Sequence, residues 1–294
     1  MLKNILVVKL SAIGDVIHAL PVSYAIKETF PAAHLTWVVE PPAFDLLKMN
    51  PCVDEIIIFR KKEFKSLRGF VRNFFPFRRE IQREKFDAVL DLQGLFKSAA
   101  IAFFAKSNIK LGICNMRELS DKISTPVVGE NSGGHIVERY LDTARAIGCK
   151  VERVVFPLEI PAAEIKKAAA IMEQADSARA AEIEAKTEIP PVNLVDKTSL
   201  QQLAHVIKNA SVVVGGDTGP VHLAAGLNVP TVMIMGPTDA NRNGPYGQIQ
   251  NALEVSHECR GCWKRACRKG LDCLENISAA AVEQKISAIL QASR

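Results

Sequence analysis

Short continuous apolar runs alternate along the chain with longer stretches in which apolar residues recur every three or four positions. Ile5-Leu6-Val7-Val8 reads as a buried strand and residues 16–29 as the helix after it. Residues 35–39, 55–59 and 87–91 repeat the strand pattern, and residues 43–49 and 94–105 the helical one. Strands that are apolar along their whole length and separated by helices belong to a parallel sheet covered on both faces. Residues 1–155 therefore read as one doubly wound α/β domain. Residues 151–161, with Pro157 and Pro161, read as the connection to a second, shorter α/β unit spanning 156–294. Its predicted elements are helices at 162–174, 199–209, 219–227 and 278–292 and strands at 211–214 and 231–235, with Ser278 capping the last helix.

Composition narrows the class. With 48% hydrophobic and 23% charged residues the chain has enough apolar surface to exclude disorder as its main state. The net charge of +5 averages two basic islands over an acidic remainder: residues 60–85 hold ten Lys/Arg against three Asp/Glu, and residues 259–273 hold five against one. Such islands suit a polyanionic partner. The N-terminal apolar run is too short for a signal-peptide core, and no run approaches the ~20 residues that span a bilayer. Seven cysteines, three of them (Cys52, Cys114, Cys149) scattered in apolar surroundings, predict a reduced, cytoplasmic protein.

Two strand–helix turns carry candidate chemistry. Strand one runs into Lys9-Leu10-Ser11-Ala12-Ile13-Gly14-Asp15, at the carboxyl ends of the strands, where doubly wound folds bind ligands. The turn lacks the Gly-x-Gly-x-x-Gly fingerprint of nicotinamide dehydrogenases. Asp15 reads equally well as a helix cap and as a general base kept ionised by the helix dipole. His18, three residues on, lies on the same helix face and reads as a packing or orienting residue. The second turn is Val214-Gly215-Gly216-Asp217-Thr218-Gly219-Pro220-Val221-His222. Glycines let backbone approach a ligand, and a helix N-terminus favours phosphate, so this turn reads as a diphosphate site or, more plainly, as a capped strand–helix turn.

In order along the chain, the segments from Lys9 to His18, from Phe86 to Ser98, Asp217-Thr-Gly-Pro-Val-His222 and Gly236-Pro-Thr-Asp239 resemble the lipopolysaccharide heptosyltransferases, the ninth family of glycosyltransferases. They are most like the members that add the first heptose to Kdo-lipid A. The resemblance implies a GT-B architecture, two Rossmann-like domains facing across a cleft, and an inverting transfer from ADP-heptose with no required metal. It implies Asp15 as general base, and Asp217, Thr218, Gly219 and His222 as the donor-diphosphate loop. Thr198 would lie on the adenine side, and Lys97 and Arg117 would face the acceptor.

The chain departs from the family at 175/176. There, about two strands, a helix and the family's donor-binding Lys have no counterpart. Either the 294 residues omit a stretch or the protein is truncated and inactive; intact motifs on both sides favour omission. The first basic island, rich in Phe, suits an anionic glycolipid at the inner face of the inner membrane, and no nucleic-acid motif accompanies it. Cys259, Cys262, Cys267 and Cys273 read as reduced or oxidation-prone thiols, with a structural zinc as the alternative. Two further alternatives are a glycosyltransferase using another nucleotide-sugar and a non-catalytic nucleotide-sugar or anion-binding protein.

Overall fold

The computed structural model describes residues 2–172, 191–255, 261–264, 266–267, 273–274 and 276–292. A six-stranded, wholly parallel sheet has the order β3-β2-β1-β4-β5-β6. Its strands are β1 (Asn4–Val8), β2 (His34–Val39), β3 (Glu55–Ile58), β4 (Ala88–Asp91), β5 (Ile109–Gly112) and β6 (Thr125–Pro126). A second parallel sheet is formed by β7 (Val213–Gly216), β8 (Thr231–Met235) and β9 (Ala252–Glu254), in that order. These are the two Rossmann-like units of the expected architecture. The order of the first sheet reverses between β1 and β4, the switch point at which the crevice opens.

Helix α1 (Ile13–Thr29) begins three residues earlier than the pattern predicts, so Asp15 lies inside its first turn. Its apolar residues are buried nearly all round, because α1 packs between the first sheet, α5 (Ile136–Ala146) and, across the domain boundary, α8 (Gly219–Gly226). One hydrophobic core runs from Ile5, Trp37 and Leu20 through to Leu223 and Val229. Burying each such large side chain stabilises the fold by roughly 1.5–3 kcal/mol. Helices α2 (Phe44–Leu47) and α3 (Leu67–Ile81) follow β2 and β3, and α4 (Phe96–Phe104) follows β4. The pattern predicts α4 two residues too early, at Gly94, which adopts φ +62° in the turn.

In the second unit, α6 (Ala162–Met172) precedes the undescribed stretch, and α7 (Leu200–Lys208) follows it. β7 lies two residues later than predicted because Gly215 and Gly216 are themselves strand residues, paired with Met233 and Ile234. Beyond β8 come α9 (Ala240–Asn243) and α10 (Ala279–Ala292), the latter capped by Ser278 Oγ, which accepts the Ala281 amide at 3.2 Å. The junction at 175/176 lies outside the described residues. Among the described residues no helix is long and apolar enough to cross a membrane.

Candidate active site

The carboxyl ends of β1 and β4 are tied together. Asp91 Oδ1 accepts the Gln93 and Gly94 amides at 3.0 and 2.9 Å, shaping the turn after β4. Gln93 Oε1 in turn accepts the Leu10 and Ser11 amides, both at 3.1 Å. From this held turn α1 starts, and Asp15 Oδ2 accepts the Ala12 amide at 3.2 Å. The carboxylate therefore caps its own helix and, half-buried, still faces the crevice.

Two clefts meet at Asp15. The first, about 560 Å³, runs between the N-termini of α1 and α8 and is lined by Ser11, Gly14, Asp15, Asp217, Thr218 and Gly219, with His18 and His222 at its floor. The two helix ends come this close because both carry glycine. A Cβ on Gly14 would lie 2.9 Å from His222 Cδ2, and one on Gly219 would lie 2.9 Å from Ile13 Cγ2. No Lys or Arg is among the lining residues described for this cleft. The second cleft, about 880 Å³, is lined by Asp15 with Lys9, Arg117, Arg139 and Arg242, and by Tyr140 and Trp263. Four basic side chains against one carboxylate give this cleft a positive field that would attract anions. Asp15 and Asn243 are common to both walls, and Asp15 is the one ionisable group shared by both.

Burial shapes the charges. It pushes the Lys9 ammonium below its usual range against the pull of Asp15 and Asp91; the same group sits 4.9 Å over the Tyr140 ring. Burial likewise lowers Arg242, whose guanidinium stacks 4.5 Å from the Trp263 ring. The Tyr140 phenol is pushed well above its ordinary value by burial and then by Asp15, so it stays neutral.

Three imidazoles line the domain boundary. His222 Nε2 lies 2.7 Å from Asp217 Oδ1, and its Nδ1 lies 3.0 Å from His18 Nε2. Burial would raise Asp217, but the hydrogen bond from His222, with the Arg242 charge beyond it, holds it below the ordinary carboxylate value. An ionised Asp217 takes the Nε2–H of His222, which leaves Nδ1 to accept from His18. Burial first, then His222, His135, Lys9 and Arg242, pushes His18 well below the usual imidazole range, so it is neutral. His135 caps α5, accepting the Val137 amide on Nδ1 at 3.2 Å, and its Nε2–H reaches the Gly244 carbonyl at 3.0 Å.

Of the residues singled out in the sequence, Asp15, Asp217, Thr218, Gly219 and His222 thus share the first cleft, and Arg117 lines the second. Thr198 lines neither cleft; it directly precedes Ser199, the cap of α7. Lys97 pairs with Glu40 at 2.7 Å and touches Ser11 Oγ at 3.3 Å, behind the wall of the first cleft. Sequence reasoning misses Arg139 and Arg242, which reach the second cleft from different elements with no shared spacing. It also passes over Lys9, whose signal was a charge at the end of an otherwise apolar strand. Cys259 lies outside the described residues; Cys262 and Cys267 are exposed and Cys273 half-buried. Among the described residues no three His, Cys, Asp or Glu gather as a metal site would require. The cysteine-rich segment nevertheless supplies Trp263 to the second cleft.

The family model for glycosyltransferase family 9 (heptosyltransferase) matches residues 74–178 and 168–271. Lipopolysaccharide heptosyltransferase 1 of Escherichia coli K12 is 26% identical over 349 aligned positions, covering 97% of this chain and all of that protein. A family 9 glycosyltransferase from Veillonella parvula superposes with a TM-score of 0.83 at 20% identity, over 99% of this chain and 98% of that one. E. coli heptosyltransferase WaaC with ADP-2-deoxy-2-fluoro heptose gives 0.70 at 24% identity, over 97% and 99%. With two-thirds of its length matched by the family model and its motifs gathered at one crevice, this chain belongs to glycosyltransferase family 9, the heptosyltransferases.

Proposed function

We propose that the protein transfers heptose from ADP-heptose to the Kdo-lipid A inner core, with inversion, in lipopolysaccharide synthesis. The observation that carries this reading is the position of Asp15 between a helix-terminus cleft and a cationic one. In this reading the 156–294 domain holds the ADP-sugar. The diphosphate lies against the start of α8 beside Asp217, Thr218, Gly219 and His222, and Thr198 serves the adenine side. The acceptor's carboxylates and phosphates lie in the second cleft against Arg117, Lys9 and Arg139 of the 1–155 domain, joined by Arg242 from the other domain; Lys97 supports the wall. An acceptor hydroxyl attacks the anomeric carbon, Asp15 takes its proton, and the bond from that carbon to the diphosphate oxygen breaks, releasing ADP. Attack opposite the leaving group inverts the centre. The solved WaaC complex with an ADP-heptose analogue supports the donor class. The basic, partly apolar α3 supports an acceptor met at the inner face of the inner membrane.

The absence of Lys and Arg from the described wall of the first cleft fits a donor-binding Lys lost with a stretch at 175/176. One further observation accords with that omission: the family model matches in two pieces that overlap at residues 168–178.

The test is ADP release from ADP-heptose with Kdo-lipid A present, with UDP- and GDP-sugars as parallel donors. Release that depends on both substrates is expected, and Asp15→Asn should lower turnover about 10²–10⁴-fold while ADP binding persists. Normal turnover by that variant overturns the base assignment. Transfer from a UDP- or GDP-sugar instead overturns the donor assignment, and no acceptor-dependent release from any donor overturns the transfer itself.

A further inference from the structure

His222 lines the cleft, yet neither of its ring nitrogens is free for a ligand: Nε2 is held by Asp217 and Nδ1 by His18. Its carbon edge is confined too, because Cδ2 occupies the space above Gly14 where any larger residue would place its Cβ. A flip of the ring would set C–H groups against both Asp217 and His18. The ring is therefore fixed on three sides, and two of the three holders, His18 and Gly14, come from the other domain. Both imidazoles are almost fully buried, His18 at 2% and His222 at 4% exposure, so a lost hydrogen bond is not replaced by water.

We infer that His18 is a positioning residue for the donor half of the reaction: from the first domain it sets the ring of His222, and through it Asp217 and the loop at the start of α8. The hydrogen bond exists only where α1 and α8 meet, so the donor loop reaches its final geometry when the two domains come together. His18 acts through His222 and needs no contact with the nucleotide. The inference deepens the donor reading above and rests on it.

Four variants test it by calorimetric ADP binding, with circular dichroism checking the fold. His18→Phe keeps an aromatic ring and loses the N–H. His18→Gln returns an N–H close to the Nε2 position. His222→Phe and the double variant His18→Phe/His222→Phe close the cycle. The ADP dissociation constant is expected to rise about tenfold in His18→Phe, the scale of one buried hydrogen bond whose partner is stranded. It should return most of the way in His18→Gln, and adding His18→Phe to His222→Phe should raise it no further. Losses that multiply in the double variant, or a Gln variant no better than Phe, overturn the inference and leave the donor reading standing. If His18→Phe fails to fold, His18→Leu takes its place in the same cycle. Wild-type protein that binds neither ADP nor another nucleoside diphosphate refutes the donor reading, and this inference with it.

Discussion

Asp15 is held by one short-range contact, the Ala12 amide, and is otherwise turned to the crevice, whereas the imidazoles beneath it are locked in a dry boundary. That difference has a consequence for stability. Burial holds His18 and His135 below their free value of 6.5, and at His18 the neighbouring His222, His135, Lys9 and Arg242 add to the effect, although Asp15 and Asp217 line the same cleft. As pH falls through 6.5 the unfolded chain gains protons that the folded chain refuses, so stability is full above that value and declines below it. Each imidazole contributes a slope of up to about 1.4 kcal/mol per pH unit. Urea unfolding should therefore give a lower free energy at pH 5.5 than at pH 7.5, with a smaller loss in His18→Phe. Equal losses in the two proteins would remove His18 from this account. Asp217 acts in a separate window: its lowered value contributes stability that is lost only as pH falls through the depressed carboxylate range. Asp217 and His222 were legible in the sequence because they lie on one turn. Their link to His18, 204 residues away, was not, since no local spacing connects two turns on different sheets.

Among the elements, α3 divides its apolar residues between two sides. Phe64, Phe74 and Phe77 lie on the inner side and interlock with Phe70, itself 43% exposed, with Phe74 reaching Phe104 of α4. Leu67, Val71 and Phe75, however, follow at four-residue spacing and form an outward stripe, 83%, 57% and 56% exposed, beside the exposed Arg68, Arg72 and Arg79. Periodicity marks a face as apolar without saying which side of the helix the sheet will cover. The same limit hid β5 and β9, too short and too mixed in polarity to declare a period, while β1, β2 and β4, buried on both faces, were plain. An apolar stripe flanked by arginines suits an anionic bilayer surface, where burial of each large side chain is worth roughly 1.5–3 kcal/mol and each basic residue about 1 kcal/mol. Leu67→Ser/Val71→Ser/Phe75→Ser protein should sediment at least about tenfold less with vesicles containing phosphatidylglycerol, and raised salt should weaken binding of the wild type as well. Unchanged sedimentation would reject the stripe as a membrane contact. A shift in elution volume on size exclusion would reassign it to self-association.

At the scale of the whole molecule the two sheets are legible from apolar runs alone, and the four ordered motifs imply that they face each other. What brings them into contact is less visible: single glycines at the start of α1 and of α8, each of which reads locally as an ordinary turn residue. Gly14 adopts no left-handed backbone that would announce it, and its requirement comes wholly from the opposing domain, where a Cβ would stand 2.9 Å from His222 Cδ2 and 3.7 Å from the Gly219 Cα. The His222 ring cannot yield, because Asp217 and His18 fix its nitrogens, so an added methyl has to be relieved by separating α1 from α8. Separation would break the His18–His222 bond, open the first cleft and draw Arg242 and Trp263 away from Lys9, Arg117 and Arg139 across the second. Gly14→Ala should thus cost about 1–3 kcal/mol of stability, the usual penalty for overpacking a closed interface. It should also weaken ADP binding and raise the radius of gyration measured by small-angle scattering. Gly133→Ala is the matched control, since a Cβ there meets nothing within 4 Å. A Gly14→Ala protein as compact and as stable as that control would show that the two domains meet with room to spare, and that their approach is set elsewhere than at this pair of helix ends.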